Sequence, residues 1–354
     1  MKLEEFGYNN RLEVLRIENN LTNFDVGRVV SEHKERYIVK TEKGEFEAEI
    51  IGNMRFSAKS RSDFPAVGDW VAISHYDVDK VIIYNIFPRI NVIERQAVGK
   101  FGEKQIIASN INYAFIVQAA DRDFNINRIE RYLTICNTSN VIPIIVISKI
   151  DLIENSELQI ISETISKRIK QIPTLFISNK TKAGYDSLIK IMEKGKTYCL
   201  LGSSGVGKST LINNIIGKNV MQTNTISDST KKGRHVTTHR QLFILENGGL
   251  LIDNPGMKEV GIGDVEKGLE ITFNKILELS NNCKYRDCQH INEVGCAVIE
   301  SVEQNIIDKS SYENYLKLER EKQHFEMDLI EKRNKDKQFG KMLKQYKKDM
   351  KKKK

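Results

Sequence analysis

Long apolar segments are missing from this sequence. No run of apolar residues approaches the roughly 18 that a membrane-spanning helix needs. The first six residues, MKLEEF, have neither the basic flank nor the apolar stretch of a secretory signal. We therefore expect a cytoplasmic protein with no membrane partner. With 40% apolar and 29% charged residues over 354 positions, the composition is that of a globular protein with two or three domains.

Cysteine is also scarce, and five residues are too few for a disulfide framework. Cys136 and Cys199 lie in apolar surroundings, where buried thiols are expected. The other three cysteines follow the spacing Cys-x4-Cys-x-His-x5-Cys. Three thiolates and one imidazole fill a tetrahedral site with no open position, as in structural rather than catalytic zinc sites. We therefore predict one structural zinc ion, bound by Cys283, Cys288, His290 and Cys296.

Acidic residues are outnumbered by basic ones, and the net charge is +8. Residues 317–354 contain 15 Lys and Arg against 7 Asp and Glu, so this tail carries the whole excess. A basic tail favours polyanionic partners, with nucleic acid ahead of a membrane surface. From charge alone, a solvated basic helix without a partner is an equally good interpretation.

Residues 26–93 contain short apolar-patterned segments separated by glycine- and proline-containing turns. Strands are predicted at residues 36–40, 46–50 and 70–73, and a helix is predicted at residues 10–20. Several short strands at this spacing suggest a small barrel or sandwich. The pattern is compatible with an OB-type barrel, an SH3-like barrel or a scaffold without a ligand.

After about residue 95, apolar β-branched runs alternate with helical stretches, which predicts a parallel sheet covered on both faces. The runs lie at residues 113–117, 141–147, 175–177, 198–201 and 250–252. From residue 263 onward helical spacing dominates, and residues 312–346 read as one or two long charged helices. The predicted fold is therefore multidomain. It has a barrel in residues 1–95, an α/β P-loop domain in residues 96–262 and a mainly helical zinc-binding domain in residues 263–354.

The strongest motif is a glycine-rich loop between a predicted strand and a predicted helix. The sequence GSSGVGKS at residues 202–209 fits the pattern GxxxxGK[ST]. Glycines let such a loop curl so that its N–H groups point at phosphate oxygens, assisted by the N-terminus of the following helix. Lys208 is predicted to reach the outer phosphates and to act in catalysis, and Ser209 to bind Mg²⁺. The predicted nucleotide-binding residues of this loop are Gly202, Ser203, Ser204, Gly205, Val206, Gly207, Lys208, Ser209 and Thr210.

Two segments downstream of this loop are predicted to respond to the bound nucleotide. The sequence DNPG at residues 253–256 follows an apolar strand. Asp253 is expected on the Mg²⁺ side of the site, and Gly256 is expected to sense the γ-phosphate. The segment GRHVTT at residues 233–238 lies between the two motifs, where a threonine can complete Mg²⁺ coordination once GTP is bound. We therefore predict Thr237, Thr238, Asp253 and Gly256 as switch residues.

Base recognition is predicted upstream of the phosphate loop, at the ends of two strands. The residues concerned are Ser148, Lys149, Ile150 and Asp151 after the first strand, and Ser178 and Asn179 after the second. Asp151 can accept two hydrogen bonds from N1 and N2 of guanine, while the Lys149 stem packs on the ring. Adenine lacks the 2-amino donor, so a buried carboxylate left unpaired penalises ATP. The sequence therefore predicts GTP and GDP as ligands.

The order of these motifs is unusual, because in ordinary GTPases the base-reading motifs follow the phosphate loop. Nucleotide sites in open α/β sheets are assembled from loops at the carboxyl ends of strands, so the site survives a change of chain order. A circularly permuted GTPase domain is therefore predicted. The permutation leads the chain from the switch at residues 253–256 straight into the C-terminal module, where the nucleotide state can bias the position of that module.

Together with the Cys/His spacing, this order of motifs resembles the RsgA (YjeQ/YloQ) family of circularly permuted GTPases over nearly the whole chain. The resemblance implies an N-terminal OB barrel, a permuted GTPase domain and a C-terminal zinc domain. It further implies GTP hydrolysis stimulated by the small ribosomal subunit, contact with the rRNA of that subunit, and a role late in its maturation. We expect the protein to act as a monomer.

The resemblance also assigns roles to residues around the nucleotide. Thr237 corresponds to the threonine that binds Mg²⁺, beside Ser209 and Asp253. Met257 stands where Ras-like enzymes carry a water-positioning glutamine, and His235 aligns with a switch histidine that is proposed to position the attacking water instead. A contact between His235 and an rRNA phosphate is equally compatible, so the catalytic role of His235 is a hypothesis.

Two positions depart from the family pattern. Ser148 replaces the asparagine of the usual Asn-Lys-x-Asp motif, and Asn179 replaces the alanine of the usual Ser-Ala motif. Because serine is shorter, the contacts of that asparagine to the base and the phosphate loop are expected to be lost or bridged by water. Asp151 is retained, so the change affects base affinity more than base identity.

Two other functions fit parts of this pattern. A non-hydrolysing, GTP-gated RNA-binding module is supported by the absent glutamine, and phosphate release with subunits present would distinguish it. A small-molecule kinase or ATPase would use the same phosphate loop. Asp151, the barrel and the tail oppose that alternative, and competition with ATP tests it.

Overall fold

The computed structural model describes residues 2–33, 36–96, 104–121, 123–217, 240–253, 265–326 and 337. Within these ranges, no helix has the length and the apolar character that a membrane span needs. Cys136 and Cys199 are buried free thiols, as predicted, and burial raises the pKa of both.

The N-terminal strands close into a barrel with the order β1-β2-β3-β5-β4 and a final pairing of β4 with β1. All pairs are antiparallel except β3 with β5. Inward and outward side chains alternate, so that Tyr37, Val39 and Thr41 of β2 are buried. The strands are β1 Asp25–His33, β2 Arg36–Thr41, β3 Gly44–Ile50, β4 Trp70–His75 and β5 Lys80–Ile86.

This arrangement confirms the predicted OB-type barrel and the predicted strands. The predicted N-terminal helix is α1, Asn10–Glu18, and a short helix α2, Gly52–Ser57, precedes β4. A hairpin of β6, Val92–Gln96, and β7, Lys104–Ser109, follows the barrel. The predicted domain boundary between residues 95 and 96 lies within β6.

The central sheet has the order β10-β9-β8-β11-β13-β12, and its strands are parallel except for β12. Helices cover both faces, and alternate residues of each strand point to opposite hydrophobic clusters. The strands are β8 Tyr113–Ala119, β9 Ile142–Ser148, β10 Thr174–Phe176, β11 Thr197–Leu201, β12 Arg240–Ile244 and β13 Leu250–Asp253. The helices are α3 Ile126–Thr138, α4 Asn155–Arg168, α5 Tyr185–Ile191 and α6 Lys208–Ile216.

The barrel and the central sheet are hydrogen-bonded to each other, because the end of β1 pairs with β12. Arg28, on the barrel part of β1, is fully buried at this junction. Its guanidinium donates to Thr197 Oγ1 at 2.9 Å, and to the carbonyl oxygens of Phe6, Gly68 and Asn110. The barrel is therefore fixed against the base of the strand that leads to the phosphate loop.

The C-terminal helices pack around their own small core, which includes Phe273, Val298 and Leu318. They also dock on α3, where a Cβ at Gly268 would lie 2.1 Å from Thr138 Oγ1. The helices are α7 Glu266–Thr272, α8 Asn274–Ser280, α9 Ala297–Glu303 and α10 Lys309–Glu326. Helix α10 covers the first part of residues 312–346, where one or two long charged helices were predicted, and residues 327–336 and 338–346 lie outside the described residues.

Candidate nucleotide site and zinc site

The predicted phosphate loop connects β11 to α6, in the strand-loop-helix context that the motif requires. Gly202 approaches β8 so closely that a Cβ there would lie 2.4 Å from Val117 O. Gly207 has φ +92° and caps α6 without a side-chain acceptor, so no capping side chain competes with an anion for the first N–H groups of the helix. The loop therefore has the shape and the donors of an anion site.

Lys208 is folded into this loop. Its Nζ donates to Gly202 O at 2.6 Å and to Ser203 O at 2.5 Å. Burial lowers the pKa of Lys208 to about 8, and the nearby Asp253 carboxylate partly offsets that effect. Asp253 is itself buried at the end of β13, beside β11. The predicted phosphate-binding lysine and the predicted Mg²⁺-side aspartate are thus neighbours, as the site requires.

The predicted base-reading residues lie at the carboxyl ends of β9 and β10. Ser178 Oγ donates to Asp151 Oδ1 at 2.6 Å and accepts from the Thr181 N–H at 3.0 Å, which fixes the aspartate. Lys149 has φ +61°, and its Nζ contacts Asp121 Oδ2 at 2.9 Å. The carboxylate and the lysine stem are therefore held on the side of the sheet where the phosphate loop emerges.

Ser148 keeps one of the contacts that its short side chain was expected to lose. Its hydroxyl donates directly to Val206 O in the phosphate loop at 2.6 Å, and the side chain is fully buried. The expectation of a lost or water-bridged contact to the loop was therefore wrong. The close approach of β9 and the loop lets the shorter serine side chain make this bond.

The second departure, Asn179, also reaches the phosphate loop. Its Nδ2 donates to Gly207 O at 3.0 Å. Arg128, in the first turn of α3, adds a contact on the other side, where Nη1 donates to Ser203 Oγ at 3.0 Å. Neither contact was predicted, because Asn179 was expected to contribute to base recognition and not to contact the phosphate loop, and Arg128 belongs to no motif.

All these groups meet at one edge of the sheet, although the base-reading residues precede the loop in the chain. Parallel strands bring their carboxyl ends together whatever the chain order, and β11 is inserted beside β8. The predicted permuted arrangement is therefore present. Of the other predicted residues, His235, Thr237, Thr238 and Gly256 lie outside the described residues. Ile150, Ser204, Gly205, Ser209 and Thr210 lie on the described loops and helix of this edge.

The predicted zinc ligands form a compact cluster. The ligand atoms of Cys283, Cys288, His290 and Cys296 all lie within 4.8 Å of one another. Two Sγ atoms are 3.8 Å apart, and His290 Nδ1 lies 3.6 Å and 3.4 Å from the Sγ atoms of Cys283 and Cys296. Zn–S bonds of about 2.3 Å and Zn–N bonds of about 2.0 Å in a tetrahedron give about 3.8 Å and about 3.5 Å. The cluster therefore fits a zinc ion.

Loss of a zinc ligand is expected to loosen the C-terminal helices. A Cys288→Ser protein should bind zinc at least about 100-fold more weakly, because thiolate ligands dominate such a site and binding is coupled to local folding. Zinc content by mass spectrometry and the thermal unfolding midpoint measure the effect. Gln289→Ala, at an exposed neighbouring position, is the matched control and should keep its zinc. Full zinc content in Cys288→Ser would contradict the assignment.

Comparison with known proteins identifies a family and several relatives of this chain. The family model described as RsgA GTPase matches residues 86–263. "Small ribosomal subunit biogenesis GTPase RsgA 1" of Bacteroides thetaiotaomicron is 39% identical over 91% of this chain and 90% of its own length. The protein of the same name from Listeria innocua is 40% identical over 91% and 89%.

Solved structures agree with the sequence relatives. YjeQ from Thermotoga maritima matches with a TM-score of 0.61 and 27% identity, over 83% of this chain and 96% of that one. YloQ, described as a circularly permuted GTPase, matches with a TM-score of 0.61 and 25% identity, over 86% and 97%. With its phosphate loop, its upstream base-reading motifs and its Cys/His cluster in place, this chain belongs to the RsgA family of GTPases.

Proposed function

We propose that this protein binds GTP with Mg²⁺ at the described sheet edge and hydrolyses it on the small ribosomal subunit, late in the maturation of that subunit. The observation that carries the proposal is the junction of the base-reading loops with the phosphate loop, made by Ser148 and Asn179. The names of the relatives, which are small ribosomal subunit biogenesis GTPases, support the choice of partner.

Phosphate binding and catalysis rest on positioning and charge. On GTP binding, Lys208 exchanges its loop carbonyl partners for oxygens of the outer phosphates, and the loop N–H groups bind the inner ones. Ser209, Thr237 and Asp253 would hold Mg²⁺, which neutralises the charge that develops as the terminal phosphoryl group leaves. His235 positions the attacking water in this proposal, since Met257 cannot.

Guanine selectivity rests on the loops after β9 and β10. Asp151 accepts hydrogen bonds from N1 and N2 of the base, and Ser178 keeps its carboxylate in place. Lys149 covers one face of the ring, and the main chain of Ile150 and Asn179 completes the pocket. ATP is rejected because adenine does not offer the Asp151 carboxylate the N1 and N2 donors of guanine.

Contact with rRNA is assigned to the barrel, the zinc loop and the basic tail. Lysine and arginine side chains that neutralise phosphates make such binding weaker as salt concentration rises. We further propose that the protein acts as a cytoplasmic monomer. The functional division into residues 1–95, 96–262 and 263–354 stays a prediction.

Phosphate release from GTP by the purified protein, with and without small ribosomal subunits, tests the proposal. Stimulation by subunits and no hydrolysis of ATP is the expected result. Binding to subunits that depends on GTP, without phosphate release, would contradict the enzymatic part and favour a non-hydrolysing switch. A His235→Ala protein with the wild-type stimulated rate would remove the histidine from the mechanism.

A further inference from the structure

A closed set of hydrogen bonds links the base-reading turn after β10 to the phosphate loop and α6. Asn179 Nδ2 donates to Gly207 O at 3.0 Å, and Asn179 Oδ1 accepts from the Tyr185 hydroxyl at 2.7 Å. Asn214 Nδ2 donates to the Tyr185 hydroxyl at 2.8 Å and to Asn179 O at 3.0 Å. We refer to Asn179, Tyr185 and Asn214 as the polar bridge.

The donors and acceptors of the polar bridge match one another without conflict. The Tyr185 hydroxyl gives its single hydrogen to Asn179 and accepts one from Asn214, whose amide has a second hydrogen for the main chain. Tyr185 is only 6% exposed, and burial raises its pKa to about 12, so it is a neutral donor at physiological pH. Buried polar groups that satisfy one another in this way hold a single geometry.

The polar bridge lies where base and phosphate recognition meet. Ser178, which precedes Asn179, carries the hydroxyl that fixes Asp151. Gly207, which accepts from Asn179, immediately precedes Lys208. A Cβ at Gly207 would lie 2.5 Å from Asn179 Nδ2, so glycine is needed for this approach. A shift of the turn would therefore change the direction of Asp151 and the position of the loop together.

We propose that the polar bridge is a positioning device for guanine selectivity, which holds Asp151 against the base while the phosphates are bound at Gly207 and Lys208. This inference rests on the proposed guanine site. Hydrogen bonds weaken steeply when their geometry is lost, so Asp151 reads both N1 and N2 only while the turn is fixed. The resemblance to the family gives alanine in place of Asn179, and alanine has no amide to reach Gly207. The polar bridge is thus a property of this chain's own residues.

The test compares the affinities of GDP and inosine diphosphate, which lacks the 2-amino group, with Mg²⁺ present. Calorimetric titration of the wild type should show a clear preference for GDP. In Asn179→Ala the ratio of the two affinities should fall about threefold to tenfold, as expected for one weakened hydrogen bond to a charged group. Tyr185→Phe should also lower this ratio. Because the two residues belong to one hydrogen-bond network, the Asn179→Ala/Tyr185→Phe double variant should lower the ratio by less than the product of the two single-variant factors.

Asn247→Ala is the matched control. Asn247 Nδ2 donates to Met192 O at 2.8 Å, in a turn before β13 and away from the nucleotide edge. This variant should keep the wild-type ratio even if its thermal midpoint falls.

Two results would overturn the inference at different levels. An unchanged ratio in Asn179→Ala, with only a lower thermal midpoint, would make the polar bridge a purely structural element. A wild-type protein that binds GDP and inosine diphosphate equally would overturn the proposed guanine site, and the inference with it.

Discussion

A Lys208→Ala protein is expected to release phosphate from GTP at least about 100-fold more slowly than the wild type when small ribosomal subunits are present. Lys208 is half-buried at the start of α6, with its ammonium group already bonded to two carbonyl oxygens of the loop. Removing a charged donor from such a preorganised site costs catalysis more than it costs ground-state binding, because charge builds up on the phosphoryl oxygens in the transition state. Initial rates of phosphate release, at saturating GTP and subunits, measure the loss.

A matched lysine provides the control for this experiment. Lys194 is an exposed residue whose Nζ pairs with Glu5 at 2.9 Å, between the central domain and the N-terminal segment. Lys194→Ala removes the same charge from the protein without touching the nucleotide edge, so its rate should stay close to that of the wild type. A Lys208→Ala protein that hydrolyses GTP as fast as Lys194→Ala would exclude the proposed role of the loop lysine.

The parts of the site that could be predicted from sequence depend on short spacings. The phosphate loop and the zinc ligands are local patterns whose residue types have few other uses. The parallel strands were also predictable, because continuous β-branched runs between helices indicate a sheet buried on both faces. These signals predicted the elements, which the structure confirms, and predicted the motifs at the carboxyl ends of the strands, where the structure has them.

Contacts between distant segments were not predictable in the same way. The pairing of β1 with β12 joins residues about 200 positions apart, and nothing in either strand identifies the other. Ser148 was expected to lose its loop contact because serine is shorter than asparagine, but the local sequence does not show how close the phosphate loop lies. Asn179, Tyr185 and Asn214 look like ordinary polar residues until the fold brings them together. Whether such contacts form depends on the three-dimensional arrangement of distant segments and not on local sequence propensity.

The largest effect on stability is expected from Arg168→Ala. Arg168 ends α4, and its guanidinium donates to both carboxylate oxygens of Glu130 on α3, at 3.0 Å and 2.7 Å. Asn314 and Ser311 of α10 donate to the same carboxylate, which is only 3% exposed. Removing one partner of a buried pair leaves an uncompensated charge, so the free energy of unfolding should fall by about 3–5 kcal/mol. Urea unfolding at neutral pH measures this loss.

The pH dependence of this loss separates a charge effect from a packing effect. Burial already raises the pKa of Glu130, and without Arg168 its folded-state pKa must rise further above the unfolded value. A buried carboxyl group such as that of Glu130 destabilises the folded state least when it is protonated and uncharged. The stability lost in Arg168→Ala should therefore be small at pH values below the unfolded-state pKa of Glu130. It should grow as pH rises through the folded-state pKa of this residue. A Glu130→Gln/Arg168→Ala double variant removes the buried carboxylate and its partner, so that only the exposed carboxylate of Asp308 remains, and it should lose most of this dependence. An equal loss at all pH values in Arg168→Ala would indicate missing packing alone.

The same variant connects stability with function, because α3 touches both the C-terminal helices and the phosphate loop. Arg131 of α3 pairs with Glu321 of α10 at 2.6 Å, while Arg128, one turn earlier, donates to Ser203. If α3 couples the two regions, Arg168→Ala should reduce subunit-stimulated hydrolysis more than it reduces the affinity for GDP. Both quantities are measured under conditions where the variant is fully folded. Equal reductions in hydrolysis and in GDP affinity would show that the buried pair supports the fold without coupling the nucleotide site to the C-terminal helices.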